Sequence, residues 1–288
     1  MSAEPDAGQQ GPLALICGGG SLPLAVADYV SARGRQVLLF PVQGIARPED
    51  YARRPHTWVH VAQFGTIARV ARAAGSRELA MIGSMVRPSL WQVRLDLTTL
   101  KLLPRIAAAF RGGDDHILSS AARLIEEQGF HVVGAHEVAP EILVPEGTLA
   151  ATHPSERDKA DIALALDYLH ATGGFDVGQA VVVTGKHVQA VEAAEGTDQM
   201  LERVAELRAS GRIRTPIGSG VLVKAPKHGQ DLRFDMPSIG PLTVDGAARA
   251  GLAGIAVVSG STVIADPEQL VAAADRAKIF VVGTRAEA

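Results

Sequence analysis

The chain has 288 residues, which suits two domains of ordinary size or one large domain. Its 28 basic and 31 acidic residues give a net charge of −3, so there is no basic surplus for a broad nucleic-acid interface. The single cysteine excludes an internal disulfide framework and a multi-cysteine metal site. The longest uncharged stretch is interrupted by proline and glycine and lacks the basic start of a signal peptide. We therefore expect a soluble, cytoplasmic protein.

The first half of the sequence predicts strands that alternate with helices. The apolar run 13–17 predicts a buried strand, and the helix after it begins near Pro23 and ends at Gly34. The other predicted strands are 37–40, 57–61, 79–83 and 130–133, and the other helices are 67–74, 100–110 and 117–125. This alternation predicts a parallel sheet, and hence a Rossmann-like α/β domain over residues 1–140 that binds a nucleotide or phosphate.

The second half, residues 141–288, is predicted to be the catalytic domain, after a linker within 136–154 that is rich in proline, glycine and small residues. Two apolar runs around Gly185-Lys186 predict a hairpin. Helices are predicted at 162–172 and 198–210, and strands at 220–223 and 278–282. Because hairpins and crossovers are mixed, this domain is either α/β or α+β. The functional site is expected between the two domains.

A glycine-rich turn, Gly18-Gly19-Gly20-Ser21-Leu22-Pro23, connects the first strand to the first helix. Backbone N–H groups at such a turn can approach a phosphate, so a phosphate or nucleotide site is one interpretation. A tight turn without a ligand is the other. The dinucleotide fingerprint requires a third glycine where Pro23 stands and an acidic residue after the second strand, which here ends in Phe40-Pro41. The turn therefore disfavours NAD.

A charged cluster follows the strand that ends near Val223. Phosphoryl chemistry uses such a mixture, because cations neutralise phosphate oxygens and carboxylates hold Mg²⁺ or orient water. In an extended segment, Asp231, Arg233 and Asp235 would share one face. The alternative is a solvated loop with incidental ion pairs. The cluster contains Lys224, Lys227, His228, Gln230, Asp231, Arg233 and Asp235.

The segment Glu195-Gly196-Thr197-Asp198 precedes a predicted helix. Two carboxylates that flank a glycine at a helix start can hold a metal or a phosphate. However, Thr197 or Asp198 is also a natural N-cap, and the sequence favours the cap. The remaining signals are weak: the histidines lack metal-ligand spacing, no Gly-x-Ser-x-Gly motif occurs, and Cys17 is predicted to be a core residue.

Taken in order, several motifs resemble a bacterial family, the UDP-2,3-diacylglucosamine pyrophosphatases of the lipid A pathway that are unrelated to the calcineurin-like phosphoesterases. The resemblance covers nearly the whole chain beyond the first dozen residues. It is strongest in the segment from Gly220 to Pro237, which contains Gln230-Asp231-Leu232-Arg233-Phe234-Asp235. The other matching segments are 15–23, 81–88, 113–115, 176–180, 190–198 and 250–255.

The resemblance implies Mg²⁺-dependent hydrolysis of UDP-2,3-diacylglucosamine to 2,3-diacylglucosamine 1-phosphate and UMP. Mn²⁺ is kept as the alternative ion, and NAD is not expected. It assigns the essential aspartate to Asp231 first and Asp235 second, with Lys224 and Arg233 as further catalytic residues. The expected metal ligands are Asp231, Asp235, Glu195 and Asp198. The expected substrate-binding residues are Gly18, Gly19, Gly20, Ser21, Leu22, Gly83, Arg87, Asp115, Gln179, Thr197, Lys227 and Gln230.

Two other functions stay open. A non-catalytic protein that binds a nucleotide sugar or lipid phosphate would share the glycine turn but would not need both Asp231 and Asp235. A nucleotidyl or phosphoryl transferase acting on a related sugar lipid is the second alternative. We expect transient contact with the cytoplasmic face of the inner membrane, where a lipid substrate resides, and no nucleic-acid partner. A homodimer is the default expectation for the oligomeric state.

Overall fold

The computed structural model describes residues 11–61, 63–84, 122–175, 177–227 and 230–285. The chain divides into two compact units, residues 1–141 and 142–288. The predicted helix at 100–110, most of the helix at 117–125 and the motif at 113–115 lie outside the described residues. Within the described part, no helix has the length and apolar character needed to cross a membrane.

The first unit contains a parallel sheet of four strands in the order β2-β1-β3-β4. All five residues of β1 are buried, because it lies between two other strands. The parallel sheet predicted from the alternating pattern is confirmed. The strands are β1 (Leu13–Cys17), β2 (Val37–Pro41), β3 (Glu78–Ile82) and β4 (His131–Val132).

The helices of this unit begin and end close to the predicted positions. Pro23 lies in the first turn of α1, and Gly34 and Gly75, both with φ near +80°, follow the ends of α1 and α3. Val26 and Val30 of α1 are buried as its spacing predicts. The helices are α1 (Leu22–Ala32), α2 (Pro48–Tyr51), α3 (Phe64–Ala73) and α4 (Ala135–Val138), and a 3₁₀ turn spans Pro140–Ile142.

The strand predicted at 57–61 is wrong as a regular element. Residues 56–59 run parallel to β2, but they form only two isolated bridges, Leu39 with His56 and Val42 with Val59. Both bridges have the same register, so the interruption between them is local. The ladder would need an N–H at position 41 to donate to residue 57, and Pro41 has none. Proline therefore breaks the strand that the apolar pattern predicts.

The second unit contains a mixed sheet of six strands in the order β5-β12-β10-β8-β6-β7. Its three central strands are parallel, whereas β5, β6 and β7 are antiparallel to their neighbours. The unit is thus α/β with antiparallel edges. The strands are β5 (Gly147–Thr148), β6 (Ala180–Thr184), β7 (His187–Val191), β8 (Val221–Lys224), β10 (Gly254–Val258) and β12 (Phe280–Thr284); β9 (Ser238–Ile239) and β11 (Val263–Ile264) pair separately.

Helices cover both faces of this sheet, which explains why β6, β8 and β10 are almost continuously apolar and fully buried. Val181 and Val183 of β6 face α5, whereas Val182 belongs to the cluster with the other helices, as the two-residue period of a strand requires. The helices are α5 (Glu156–Thr172), α6 (Gly196–Ala209), α7 (Pro241–Arg249) and α8 (Pro267–Ala277), and a 3₁₀ turn spans Gly173–Phe175.

The hairpin predicted around Gly185-Lys186 is confirmed. Both residues have positive φ, 59° and 63°, which a two-residue turn between twisted strands requires. The buried carboxylate of Asp161 on α5 accepts the Gly185 N–H at 2.9 Å and the Lys186 N–H at 2.6 Å. A side chain from the helix layer therefore fixes a turn that local sequence favours.

Candidate functional site

A buried lysine ends the central strand β8. Lys224 is only 6% exposed, and its Nζ donates to Thr197 Oγ1 and to the Ser238 carbonyl oxygen, both at 3.0 Å. Burial lowers the pKa of Lys224, while the negative charges of Glu192, Asp198 and Asp235 oppose that shift. The cation lies at the carboxyl end of a parallel strand, where ligand sites form in α/β sheets.

Thr197 lies within the first turn of α6, but it does not cap the helix. The helix begins at Gly196 after Glu195, so neither Thr197 nor Asp198 occupies the N-cap position predicted for them. Instead, the Thr197 hydroxyl donates to Glu192 Oε1 at 2.7 Å and accepts from Lys224. The capping interpretation is wrong because tertiary partners engage this hydroxyl.

Glu192 is the residue of this cluster to which the sequence assigned no role. It directly follows β7, is 8% exposed, and accepts the Gln179 N–H at Oε2 at 2.9 Å. A Cβ atom on Gly178 would lie 2.5 Å from Glu192 Cγ, so glycine at 178 leaves room for the carboxylate. The available signal was a charged residue immediately after an apolar strand, which resembles the signal at Lys224.

Gln230 and Asp235 lie in the loop after β8. The Gln230 amide donates to the Asp235 carboxylate and, at 3.5 Å, to Gln179 Oε1. The Gln230 side-chain oxygen Oε1 accepts the Lys227 backbone N–H at 2.8 Å. Gln230 is buried, and both ends of its amide are bonded within the protein, so it holds Asp235 in place.

Asp231 and Arg233 form a two-point ion pair. Arg233 Nη2 lies 2.7 Å from Asp231 Oδ2, and Arg233 Nε lies 3.0 Å from Oδ1. The segment is turned rather than extended, because the Phe234 and Asp235 N–H groups donate to the Asp231 carbonyl oxygen. The prediction that Asp231, Arg233 and Asp235 share one strand face is therefore wrong. A turn places the guanidinium beside the aspartate two residues earlier.

The four acidic residues predicted to hold a metal do not point to a common centre, and each has its own surroundings. Glu195 pairs with Arg203 at 2.6 Å, and hydrogen bonds from its own backbone N–H and from Arg203 lower its pKa. Asp231 pairs with Arg233, Asp235 accepts a hydrogen bond from Gln230, and Asp198 is exposed on α6. Among the described residues, no group of three or more histidine, cysteine or acidic side chains is placed to hold a metal ion. The predicted set of four ligands is therefore not assembled here.

The glycine-rich turn after β1 packs against the loop after β3. The Gly18 N–H donates to the Ile82 carbonyl at 2.8 Å, and the Gly19 N–H donates to the Ser84 carbonyl at 2.9 Å. A Cβ atom on Gly18 would lie 2.6 Å from the Ser84 carbonyl oxygen. Glycine at positions 18 and 19 allows the two loops to pack closely, and the backbone N–H groups of both residues donate to carbonyl groups of the protein. This differs from the prediction that they donate to a phosphate.

The other predicted ligand residues of the first unit are Gly20, Ser21, Leu22 and Gly83. Gly20 and Gly83 have φ of +90° and +101°, so both need a glycine conformation. Ser21 and Leu22 stand at the start of α1. The loops that contain these residues follow β1 and β3, which are neighbours in the sheet. The next strands along the chain lie on opposite sides of this pair, β2 beside β1 and β4 beside β3. Arg87 and Asp115 lie outside the described residues.

Cys17, the last residue of β1, is a core residue, as predicted. It is fully buried, and burial raises the pKa of its thiol to about 12. The thiolate required of a nucleophile is therefore disfavoured at neutral pH.

These features define a two-unit α/β protein with a buried cation at the carboxyl edge of its second sheet. Residues 12–142 match the LpxI N-terminal domain, and residues 145–282 match the LpxI C-terminal domain. The chain is 41% identical over 271 residues to a Caulobacter vibrioides protein named UDP-2,3-diacylglucosamine pyrophosphatase LpxI, a match that covers 94% of this chain and 96% of the relative. The chain belongs to the LpxI family.

Proposed function

We propose that this protein hydrolyses the pyrophosphate bond of UDP-2,3-diacylglucosamine, giving 2,3-diacylglucosamine 1-phosphate and UMP for lipid A biosynthesis. The relative of matching length is named for this activity. The observation in this chain that carries the proposal is the buried Lys224 ammonium, which lies where a phosphate anion would bind at a strand end.

Lys224 and Arg233 supply the positive charge that the proposed reaction needs. A pyrophosphate gains negative charge on its oxygens as the bond breaks, and a cation already fixed in a dry site stabilises that charge without reorganisation. Arg233 is held beside Asp231, so the guanidinium and the carboxylate reach the substrate as a pair. In this proposal Asp231 orients the attacking water, with Asp235 as the second carboxylate.

We include a requirement for Mg²⁺, with Mn²⁺ as the alternative ion. Mg²⁺ is commonly bound by one or two carboxylates together with substrate phosphates. Because the described residues do not form a cluster of three acidic ligands, Asp231 or Asp235 would hold the ion jointly with the pyrophosphate. Glu195 and Asp198 are the other two proposed ligands, and an ion would have to compete with Arg203 for Glu195 as it would with Arg233 for Asp231.

We further propose that the first unit is Rossmann-like and binds the UDP part of the substrate. With residues 56–59 beside β2, its spatial order is 56–59, β2, β1, β3, β4. That order corresponds to 3-2-1-4-5, the order found in nucleotide-binding sheets, whose ligands bind where the order reverses. Gly20, Ser21 and Gly83 lie in the loops at that point, and Leu22 is the first residue of α1.

The proposed location is the cytoplasm, with transient contact at the cytoplasmic face of the inner membrane. The substrate carries two acyl chains and therefore resides in a membrane. We also propose a homodimer, because two-fold homodimers are the commonest oligomers of soluble proteins.

The test is incubation of the purified protein with UDP-2,3-diacylglucosamine and MgCl₂, followed by mass spectrometry of both products. We expect UMP and 2,3-diacylglucosamine 1-phosphate in equal amounts. Asp231→Ala should lower the rate at least about 100-fold, whereas Asp245→Ala, an exposed aspartate on α7, should not. Folded protein that binds the substrate without releasing UMP would favour a binding protein. Transfer to an added acceptor would favour a transferase.

A further inference from the structure

Glu192 is a buried carboxylate whose two oxygens have separate protein partners. Oε2 accepts the backbone N–H of Gln179, and Oε1 accepts the hydroxyl of Thr197. The side chain is 8% exposed, although glutamate is almost never buried unless it is paired. No described side chain of lysine, arginine or histidine forms a direct ion pair with it. The positive charge that balances the Glu192 carboxylate must therefore be linked to it through a neighbouring side chain.

The neighbour is Thr197, and its hydrogen bonds can have only one direction. The Lys224 ammonium has three donors and no acceptor, so the Thr197 oxygen must accept from it at 3.0 Å. The single hydroxyl proton of Thr197 is then donated to Glu192 at 2.7 Å. Ammonium, hydroxyl and carboxylate thus form one chain in which reversal of any bond would leave a buried group unpaired.

This chain also fixes the direction in which the lysine can act. Two of its three N–H groups are used, one by Thr197 and one by the Ser238 carbonyl oxygen. The third has no partner among the described residues. Because the first two bonds set the rotation of the ammonium, they also set the direction of the third N–H.

Three carboxylates favour the charged form of Lys224 against its burial: Glu192, Asp198 and Asp235. Asp198 is exposed on α6, and Asp235 lies in the loop after β8, bonded to Gln230. Glu192 is the buried one, and it is joined to the ammonium through a hydroxyl. Charges interact more strongly where water is excluded, so Glu192 is the chief counter-charge.

We propose that Glu192 is a positioning residue, which holds the Lys224 ammonium through Thr197 and keeps it charged and aimed at a phosphate anion. The direction of the effect follows from charge. Lys224 acts as a cation, so activity is lost as pH rises through its pKa. Removing the Glu192 charge lowers that pKa, and the alkaline limb of the activity profile moves to lower pH. The catalytic part of the proposal rests on the proposed pyrophosphatase function.

The first experiment compares Glu192→Gln with Glu202→Gln, the same change at an exposed position on α6. We expect Glu192→Gln to lower kcat about 10- to 100-fold with a smaller change in KM, and to shift the alkaline limb of kcat to lower pH. Glu202→Gln should leave both unchanged. A folded Glu192→Gln protein with the kcat and pH profile of the wild type would overturn the proposal.

Two substitutions at Thr197 keep the proposal testable if Glu192→Gln does not fold. Thr197→Ser keeps the hydroxyl, and we expect kcat within about threefold of the wild type. Thr197→Val keeps the shape but breaks the chain, and we expect a loss similar to that of Glu192→Gln. Equal activity of the two variants would contradict a role for the hydroxyl.

A final measurement does not require turnover. Lysine labelled with ¹³C at Cε allows the Lys224 pKa to be titrated by NMR in the wild type and in Glu192→Gln, with Lys224→Met used to assign the signal. We expect a lower pKa in Glu192→Gln. An unchanged pKa would overturn the proposal even if UMP is released. Absence of UMP release by the wild type, with the pKa shift present, would instead refute the proposed function.

Discussion

Replacing Lys224 by methionine removes the buried charge while keeping a long, unbranched side chain. The lysine is 6% exposed and donates to Thr197 and to the Ser238 carbonyl. We expect kcat for UMP release to fall about 100- to 1000-fold, since losing one preorganised donor to a developing anion raises the barrier by about 2.7–4 kcal/mol.

The same substitution should change the free energy of unfolding far less than it changes activity. Two hydrogen bonds from a charged donor contribute about 1.5–3 kcal/mol each, whereas burial of an ammonium costs several kcal/mol. These terms oppose each other, so we expect a net change within about 2 kcal/mol. Because burial lowers the pKa of Lys224 below 10.5, the unfolded chain binds more protons, and the wild type gains stability relative to Lys224→Met as pH rises toward 10.5.

The assay for this prediction pairs steady-state UMP release with urea unfolding, each followed across a range of pH. Lys159→Met is the matched control, because Lys159 forms an exposed ion pair with Glu156 on α5. A kcat within about fivefold of the wild type would refute the catalytic assignment. Parallel loss of activity and stability would show instead that Lys224 maintains the fold.

Three further predictions concern other parts of the chain. Asp161→Ala removes the acceptor of two turn N–H groups and should lower the free energy of unfolding by about 2–4 kcal/mol in urea titrations. Arg208→Met leaves four backbone carbonyls without their guanidinium donor and should lower it by about 3 kcal/mol, measured in the same way. The Cys17 thiol, with its pKa raised to about 12, should react with a disulfide reagent at pH 8 only after unfolding. Rapid labelling of the native protein would contradict that burial.

The metal requirement gives a separate test. Dialysis against EDTA should abolish UMP release, and added Mg²⁺ or Mn²⁺ should restore it. Unchanged melting of the metal-free protein is expected, because the described residues contain no cluster of acidic ligands whose repulsion an ion would relieve. A large drop in melting temperature would point to a structural ion instead.

Local patterns determined most of the regular elements. The apolar character of its five residues was enough to predict β1, and Pro23 and Gly34 were enough to predict the ends of α1. The hairpin at Gly185-Lys186 follows from two residues that both take positive φ. The strand at residues 56–59 failed because its ladder depends on residue 41 of another strand, where proline lacks an N–H.

Assigning the candidate site required both the sequence and the tertiary structure. By sequence alone, Lys224 could be placed at a strand end and Asp231 in a charged loop, because the period of the strand and the family motif are local. Only the tertiary structure decided what these groups contact. Lys224 and Thr197 are 27 residues apart in the chain, and their contact exists because β8 ends where α6 begins.

The same difference between a local preference and a tertiary contact explains the incorrect predictions at other residues. Thr197 looks like a cap because capping is a local preference, yet Glu192 and Lys224 engage its hydroxyl. Gly18 and Gly19 look like phosphate ligands because their turn precedes a helix, yet the loop after β3 uses their amides. A sequence determines which groups are available for bonding, but which partners satisfy them is decided by burial, since buried polar groups must pair with whatever the fold brings near.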